Sequence, residues 1–328
     1  MNFFNLPKIE LHCHLDGSVR PNTVIDIAKK EGINIPSSDV DTIKHLMIAP
    51  AECTSLNEYL ERFVLPLKVM QSKESLRRIA YELLEDAAKE NVKYIEVRFA
   101  PLLHTEKGLT VKEIIQNVLK GMKEAEKNFD IKGNLILSFL KHMSPNSIFD
   151  VIEQGKNFLG NGVVGVDLCG SENEGFSKEF IHPIALAREY GYRVTIHAGE
   201  TGVGENVLEA VELLGAERIG HGVAIRDCTK AYNIVREKGI ILEMCPTSNV
   251  QTKAVNVFKE HPIYDFYRDG IKVTVNTDNR TVSNTVLTNE CDILFNEFHI
   301  TYDDYKKIYN DSVDACFIDD ELKANLYI

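Results

Sequence analysis

Two histidines near the N-terminus have the spacing of metal ligands. His12 and His14 end an apolar-rich run that begins at residue 8 (KIELHCH) and is typical of a strand. Side chains alternate between the two faces of a strand, so both imidazoles face the same way, about 6.6–6.8 Å apart along the chain. Two histidines so placed can bind one metal ion, whereas Cys13 points to the opposite face. Because such a pair also occurs on surface strands, its meaning depends on the rest of the chain.

Four later predicted strands also end in polar side chains that could bind a metal ion or transfer a proton. Their segments are 167–172 (DLCGSE), 195–200 (TIHAGE), 219–222 (IGHG) and 275–279 (VNTDN). With the first strand they supply four histidines and two acidic residues: His12, His14, His197, His221, Glu200 and Asp278. Three histidines and one aspartate suit zinc, although nickel or iron would also accept them. Zinc lowers the pKa of a bound water to about 7, and Glu200 could protonate a substrate if burial raises its own pKa.

An alternation of strands and helices must position these residues. After the first strand, further strands are predicted at 92–101, 133–140, 163–170, 193–200, 218–222, 240–246 and 272–278. Helices are predicted between most of them, at 111–128, 146–159, 180–190, 204–214, 228–238 and 261–269. Eight strands of this kind predict an α/β fold, a (β/α)8 TIM barrel whose C-terminal strand ends meet on one face. A doubly wound sheet is the alternative, but its usual GxGxxG turn is absent.

The chain also predicts extra helices outside the barrel repeat. A helical excursion covers about residues 20–90, and a further helical tail follows the last strand. In the predicted helix 55–63, Ser55 is a candidate N-cap and Glu58 completes a capping box. Its apolar face either packs in the core or forms a lid over a pocket, and consists of Leu56, Tyr59, Leu60 and Phe63. We predict a single domain over residues 1–328.

The composition restricts the class of function. The chain has 328 residues and a formal net charge of −12, which disfavours nucleic acid as a partner and favours a small molecule. The seven cysteines are scattered without a C-x-x-C pair, so we predict reduced thiols. Signal-peptide features and apolar runs of membrane-spanning length are absent from the sequence. These features predict a cytoplasmic protein without a membrane association or an obligatory protein partner.

Four motifs together carry a family resemblance. Residues 12–17 (HCHLDG), 197–200 (HAGE), 220–222 (GHG) and 276–278 (NTD) resemble, in order and spacing, those of the adenosine/AMP deaminase family of metal-dependent amidohydrolases. The Glu96-x-Arg98 strand with Pro101 is also similar, as are residues 167–170 (DLCG) and 245–249 (CPTSN). The resemblance covers essentially the whole chain.

This resemblance implies a zinc enzyme of purine salvage that hydrolyses adenosine, and 2′-deoxyadenosine, to the inosine product and ammonia. One Zn²⁺ per chain would be bound by His12, His14, His197 and Asp278. Glu200 would protonate purine N1, and His221 would orient and electrostatically support the attacking hydroxide. Substrate contacts would come from His14, Asp16 at the ribose 5′-hydroxyl, Gly170 at N3, and Asn279. The helix at 55–63 would be a hydrophobic cover.

One residue departs from the family pattern. Many members carry a second aspartate after NTD, which must be protonated to donate a hydrogen bond to purine N7, whereas this chain has Asn279. An amide always has donor hydrogens, so the contact can survive. Asp16 favours a nucleoside, because related adenine deaminases tend to have glutamate there.

Several alternatives stay open at this point. The substrate could be adenine, methylthioadenosine or aminodeoxyfutalosine, since the same motifs serve all of them. A two-metal amidase would need a bridging lysine at the end of the fourth strand, which is absent, and the H-x-E and P-C-x-x-C signature of polynucleotide deaminases is also absent. A non-catalytic nucleoside-binding barrel would have no need of Glu200.

Overall fold

Eight parallel strands form a barrel in the computed structural model, which describes residues 3–328. Neighbours in the barrel are neighbours in the sequence, as the alternating pattern predicts. The strands are β1 (Lys8–His14), β2 (Val92–Phe99), β3 (Lys132–Leu140), β4 (Val163–Cys169), β5 (Arg193–Ala198), β6 (Arg218–His221), β7 (Ile241–Met244) and β8 (Val273–Val275). The predicted (β/α)8 barrel is confirmed.

The barrel closes where β8 meets β1. Asp278 bridges to Cys13: the Asp278 amide donates to the carbonyl of His12 at 2.9 Å, and the His14 amide donates to the carbonyl of Asp278 at 2.7 Å. The predicted strand 272–278 is too long, because Asp278 has a left-handed φ of 60° that ends the extended chain. The side chain of Asn276 replaces a strand contact by accepting from the Leu11 amide at 3.0 Å.

Helices cover the outside of the barrel and form the excursion between β1 and β2. They are α1 (Pro21–Glu31), α2 (Val40–Met47), α3 (Leu56–Leu60), α4 (Val64–Val69), α5 (Lys73–Lys89), α6 (Val111–Asn128), α7 (Asn146–Gly155), α8 (Ile181–Glu189), α9 (Gly204–Leu213), α10 (Thr229–Lys238), α11 (Pro246–Gln251), α12 (Ile263–Arg268), α13 (Leu287–Glu297), α14 (Tyr302–Ala315) and α15 (Asp320–Ala324). Helix α6 shows why they form: Thr110 and Glu113 make a reciprocal capping box, and one apolar stripe is buried.

The excursion places α3 over the C-terminal end of the barrel. Tyr59 is buried in a small satellite core with Ala49, Cys53 and Val282, and its hydroxyl lies 2.6 Å from Oγ of Ser283. A short 3₁₀ turn, Glu61–Phe63, continues α3, so the predicted helix is interrupted.

The capping box predicted at the start of α3 is only half formed. Ser55 caps the helix by accepting from the amide of Glu58. The Glu58 carboxylate turns instead to Thr54, which offers both an amide and a hydroxyl donor at 2.8 and 2.9 Å. Two donors from one residue outcompete the single amide of Ser55.

The interior of the barrel beneath its C-terminal end contains a buried network of ion pairs. Glu243 on β7 accepts from Arg98 on β2 at 2.8 Å and from Arg218 on β6 at 2.7 Å, and Arg218 also donates to Glu96 at 2.6 Å. All four side chains are essentially unexposed. Loss of one partner would leave an uncompensated buried charge, which typically destabilises a protein by about 3–5 kcal/mol. The network therefore holds three strands in fixed relation below the site.

Two composition-based predictions can be compared with the structure. All seven cysteines are free and buried, which confirms the prediction of reduced thiols. Within residues 3–328 no helix combines the length and the apolar character that crossing a lipid bilayer requires.

Candidate metal centre and active site

The C-terminal strand ends surround a cavity of about 510 Å³, a size suited to a small ligand. Most of the residues singled out in the sequence line it: His14, Asp16, Gly170, His197, Glu200, His221, Asp278 and Asn279. Leu56, Tyr59, Leu60 and Phe63 form its opposite wall, so the apolar face of α3 covers the cavity. His12 lies beneath the floor with no exposed surface. Residues from distant parts of the chain thus meet in one place.

A cluster of metal-binding side chains lies at the floor of this cavity. Donor atoms of His12, His197, His221 and Asp278 all lie within 4.8 Å of one another. His14 belongs to the same cluster, because its Nε2 is 3.2 Å from Nε2 of His197 and 3.4 Å from Oδ1 of Asp278. The structure therefore brings together the four ligands that the sequence predicts and adds His221 at similar range.

Carboxylates orient two of these histidines. Nδ1 of His12 lies 2.9 Å from Glu243, and Nδ1 of His197 lies 2.9 Å from Asp167. A histidine that donates its Nδ1 hydrogen to a carboxylate keeps the lone pair of Nε2 for a metal ion. Nε2 of His12 is buried and makes no hydrogen bond, as expected of a ligand nitrogen. Neutral imidazoles with one carboxylate are a suitable donor set for a divalent transition metal.

The residues of the cluster differ in protonation. Burial acts to lower the pKa of His12, but its contacts with Asp278 and Glu243 outweigh burial and raise that pKa. Burial lowers the pKa of His14 to about 3 and that of His197 well below its usual value, so both are neutral at pH 7. Burial acts to raise the pKa of Asp278, but the adjoining His12 outweighs it and holds that pKa well below its usual range. Ser248 donates to the second oxygen of Asp278 at 2.6 Å and fixes the carboxylate.

Glu200 lies beside the cluster in a setting that keeps its proton. Burial, the charge of Asp278 and the charge of Glu172 raise its pKa to about 8. Glu172 also positions the segment after β5, because its carboxylate accepts from the amides of Gly199, Glu200 and Thr201 at 2.8–3.1 Å. The raised pKa therefore favours the protonated carboxyl of Glu200 at neutral pH, and Glu172 fixes the main chain around it.

His221 sits opposite Glu200 at the end of β6. Its Nε2 lies 3.6 Å from Glu200, and its Nδ1 lies 2.9 Å from the amide nitrogen of Asn249. Gly220 makes this arrangement possible, because a Cβ there would lie 2.8 Å from the ring of His12. Unlike His12 and His197, His221 is not backed by a carboxylate at Nδ1.

Comparison with known proteins agrees with this geometry. A family model described as adenosine deaminase matches residues 7–327. The chain is 59% identical over 326 residues to the adenosine deaminase of Clostridium perfringens (strain 13 / Type A), covering 99% of this chain and 98% of that relative. The chain belongs to the adenosine deaminase family.

Solved structures related to this adenosine deaminase family member have the same barrel. Adenine deaminase from Arthrobacter aurescens has a TM-score of 0.91 at 26% identity, over 98% of this chain and 96% of that chain. The N6-mAMP deaminase of Arabidopsis has a TM-score of 0.88 at 26% identity, over 99% and 97%. The adenosine deaminase family is metal-dependent, and this chain has the required His/Asp cluster.

Two side chains of this adenosine deaminase family member present unpaired polar atoms at the cavity. Oδ1 of Asp16 and Oδ1 of Asn279 are buried and make no hydrogen bond within residues 3–328. Burial raises the pKa of Asp16 to about 6. Gly17 lets Asn279 approach, since a Cβ at Gly17 would lie 1.8 Å from that oxygen. Both side chains can therefore serve a ligand.

Sequence reasoning overlooked several residues that support the site. Residues 167–170 and 245–249 are family-like segments and 167–172 is a predicted strand end, but the sequence predicts no role for Asp167, Glu172 or Asn249. It also predicts no role for Glu243, although an acidic residue inside the buried strand β7 is itself a signal. In the structure these residues contact the histidines of the cluster or the main chain that carries Glu200.

Proposed function

We propose that this protein catalyses the hydrolytic deamination of adenosine, and of 2′-deoxyadenosine, to inosine or deoxyinosine and ammonia, as a step of purine salvage. The observation that supports this most directly is that a protonated Glu200 and a His/Asp metal cluster face one cavity of nucleoside size. The 59% identity to an adenosine deaminase over nearly the whole chain supports the choice of substrate. We further propose that residues 1–328 work as one unit, with the helical excursion as its lid.

The metal that we propose is one Zn²⁺ per chain, held by His12, His14, His197 and Asp278. The support is the chemistry of the donors: three neutral or carboxylate-oriented imidazoles and one low-pKa carboxylate. When bound, zinc acts as a Lewis acid that lowers the pKa of water and so makes a nucleophile available near pH 7. We place His221 beside the reacting oxygen.

The residues of the chain then have distinct tasks. Glu200 donates the proton of its carboxyl group to purine N1, which makes C6 electrophilic. His221 offers a hydrogen bond to the oxygen that attacks C6. A C6–O bond forms and the C6–N bond breaks, so adenosine and water give inosine and ammonia. The apolar face of α3 excludes bulk water above the purine and strengthens both polar contacts.

The substrate contacts that we propose use side chains that line the cavity: the unpaired oxygen of Asp16 accepts, and the NH₂ group of Asn279 donates. Asp16 accepts the ribose 5′-hydroxyl through its buried Oδ1, and the amide of Asn279 donates to purine N7 at any pH. The main-chain amide of Gly170 faces N3; the Gly170 carbonyl is fixed by Lys141 at 3.1 Å. His14 also lines this cavity and adds a further polar side chain to its wall.

The test of this function is a substrate panel on the purified, metal-assayed protein. Adenosine, 2′-deoxyadenosine, adenine, methylthioadenosine and N6-methyl-AMP would be compared through the ultraviolet change on deamination and through ammonia release. We expect fast turnover of the first two, abolished by a chelator and restored by zinc. Preference for adenine or for the nucleotide would refute the nucleoside assignment, and inactivity on the whole panel would refute the deaminase itself.

The role of Asp16 gives a second test of the substrate. The Asp16→Ala variant loses the 5′-hydroxyl contact, so kcat/KM should fall for adenosine but much less for adenine, which has no ribose. A hydrogen bond to a charged group contributes about 1.5–3 kcal/mol, or roughly 10- to 150-fold. An equal loss on both substrates would contradict the ribose contact.

A further inference from the structure

A buried row of hydrogen bonds connects the start of α12 to the back of His221. The main-chain amide of Ile263 donates to Nδ1 of His261 at 3.3 Å, and Nε2 of His261 lies 3.0 Å from Oδ1 of Asn249. Nδ2 of Asn249 lies 2.9 Å from Nδ1 of His221. All three side chains are at most 2% exposed, so water does not replace these partners.

The direction of every hydrogen bond in this row is determined by its first member. A main-chain amide can only donate, so Nδ1 of His261 accepts and the hydrogen of this neutral ring is on Nε2. That hydrogen is donated to Oδ1 of Asn249, which leaves the NH₂ group of Asn249 to donate to Nδ1 of His221. The proton of His221 is then on Nε2, the nitrogen that faces Glu200 and the cavity.

The opposite orientation of Asn249 is excluded by the same groups. If its amide were reversed, its NH₂ group would face Nε2 of His261, which would have to accept. The hydrogen of His261 would then be on Nδ1, pointing at the amide hydrogen of Ile263. Burial lowers the pKa of His261 to about 3, so a doubly protonated ring, which could not accept from Ile263, is also disfavoured.

We propose that Asn249 and His261 are positioning residues that hold His221 as the tautomer protonated at Nε2. His221 is then a hydrogen-bond donor to the reacting oxygen, and neither a metal ligand nor a base in the resting site. This inference rests on the proposed function and deepens it, because it divides the clustered histidines into two kinds. His12 and His197, whose Nδ1 atoms contact a carboxylate, keep a lone pair at Nε2. His221, whose Nδ1 accepts from the side-chain amide of Asn249, carries its hydrogen on Nε2.

The variant that tests the row is Asn249→Asp. A carboxylate of the same shape accepts from both neighbours, so the hydrogen of His221 should move to Nδ1 and its Nε2 should become a lone pair. Removing one directed donor from a site of this type lowers kcat by about 10²-fold or more. We expect that loss in kcat, with little change in KM and with metal content equal to that of the unmodified protein.

The matched control is Asn256→Asp, which adds the same charge in the same segment but contacts only Glu260 at the surface. Its kcat, KM and metal content should equal those of the unmodified chain. His261→Gln is a second variant that tests the row, because the amide of a glutamine at position 261 can either donate to Asn249 or accept from it. It should leave His221 as a mixture of the two tautomers, with an intermediate loss of kcat.

The decisive readout is the imidazole ¹⁵N–¹H NMR spectrum of protein labelled at histidine, in which protonated and unprotonated ring nitrogens are well separated. The signals of His221 are assigned by their absence in His221→Gln. The inference is overturned if Nδ1 carries the proton in the unmodified protein, or if Asn249→Asp moves the proton without lowering kcat. Failure of the proposed function differs from both: the tautomer would be as expected, but no nucleoside would be deaminated.

Discussion

Glu200 lies where a carboxyl group retains its proton at neutral pH. Its burial and the two nearby carboxylates, Asp278 and Glu172, all act against the charged form and raise its pKa to about 8. The neighbouring Asp278 has the opposite shift, because the adjoining His12 stabilises its charge. The opposite pKa shifts of these two carboxyl groups suit the different tasks that we propose for them, proton donor and metal ligand.

This difference predicts the behaviour of Glu200→Gln. The variant keeps the shape of the side chain but cannot give a proton, so kcat should fall by at least about 10²-fold while metal content is unchanged. In the unmodified protein, Glu200 should be protonated and active below pH 8. Activity should decline as the pH rises through about 8, because Glu200 then loses its proton. Steady-state kinetics across pH, with metal analysis, measure both effects. Near-normal turnover of Glu200→Gln would remove the residue from this role.

At the scale of single residues, the sequence reveals the side chains that face the cavity better than those behind them. His12, His14 and Asp278 belong to motifs with a recognisable spacing. Glu243 and Asn249 act through a neighbour that is distant in sequence, as in the contact of Glu243 with His12 across 231 positions. Such a contact depends on closure of the barrel, which brings β1 and β7 together across its interior although β8 lies between them.

At the scale of elements, two hydrogen bonds connect the proposed lid to the segment after β8. The amide of Ala49 donates to Val282 at 2.8 Å, and the hydroxyl of Tyr59 lies 2.6 Å from Ser283. Val282 and Ser283 both belong to the segment after β8 that also carries Asn279. The cover of the cavity and one of the proposed substrate contacts are therefore attached to the same piece of chain.

The prediction at this scale concerns Tyr59→Phe. Phenylalanine retains the ring in the satellite core but loses the hydrogen bond to Ser283, whose net contribution is about 0.5–1.5 kcal/mol. We expect KM for adenosine to rise by about two- to tenfold, with kcat and metal content nearly unchanged, since the lid closes less firmly. Ser283→Ala should give the same change, and the double variant no more than either. Additive effects would show that the two residues act independently.

Helices and strands were predicted more reliably from the sequence than their ends. The predicted helix at 111–128 agrees with α6, since its period and its Thr110 cap are both local features. The strand predicted at 272–278 fails beyond residue 275, where the side chain of Asn276 and an isolated bridge from Asp278 to Cys13 replace regular pairing with β1. Tertiary contacts decide the termini of such short elements.

At the scale of the whole molecule, the metal ligands and the buried ion pairs form one connected structure. Glu243 contacts His12 directly and is also paired with Arg98 and Arg218. The cluster therefore rests on contacts that reach β1, β2, β6 and β7. Binding of a metal ion at the cluster should stabilise the barrel as a whole.

Metal removal tests this connection. A ligand that binds only the folded state at about 100 times its Kd stabilises it by about 2.7 kcal/mol, so chelation should lower the Tm seen by calorimetry. The variant His197→Ala should contain no stoichiometric metal, and its Tm should be insensitive to the chelator. Full zinc occupancy of that variant would contradict the proposed ligand set. Restoration of Tm by added zinc in the unmodified chain serves as the control.

The closure of the barrel between β8 and β1 has a consequence for the biosynthesis of the protein. The contacts that close it join residues 265 and 267 positions apart, Leu11 with Asn276 and Glu10 with Thr277. His12 and His14 leave the ribosome early, but the carboxylate that completes their site is among the last parts of the barrel to be made. The complete cluster therefore forms only after synthesis has passed Asp278, and a chain truncated before that residue keeps its histidines without the carboxylate.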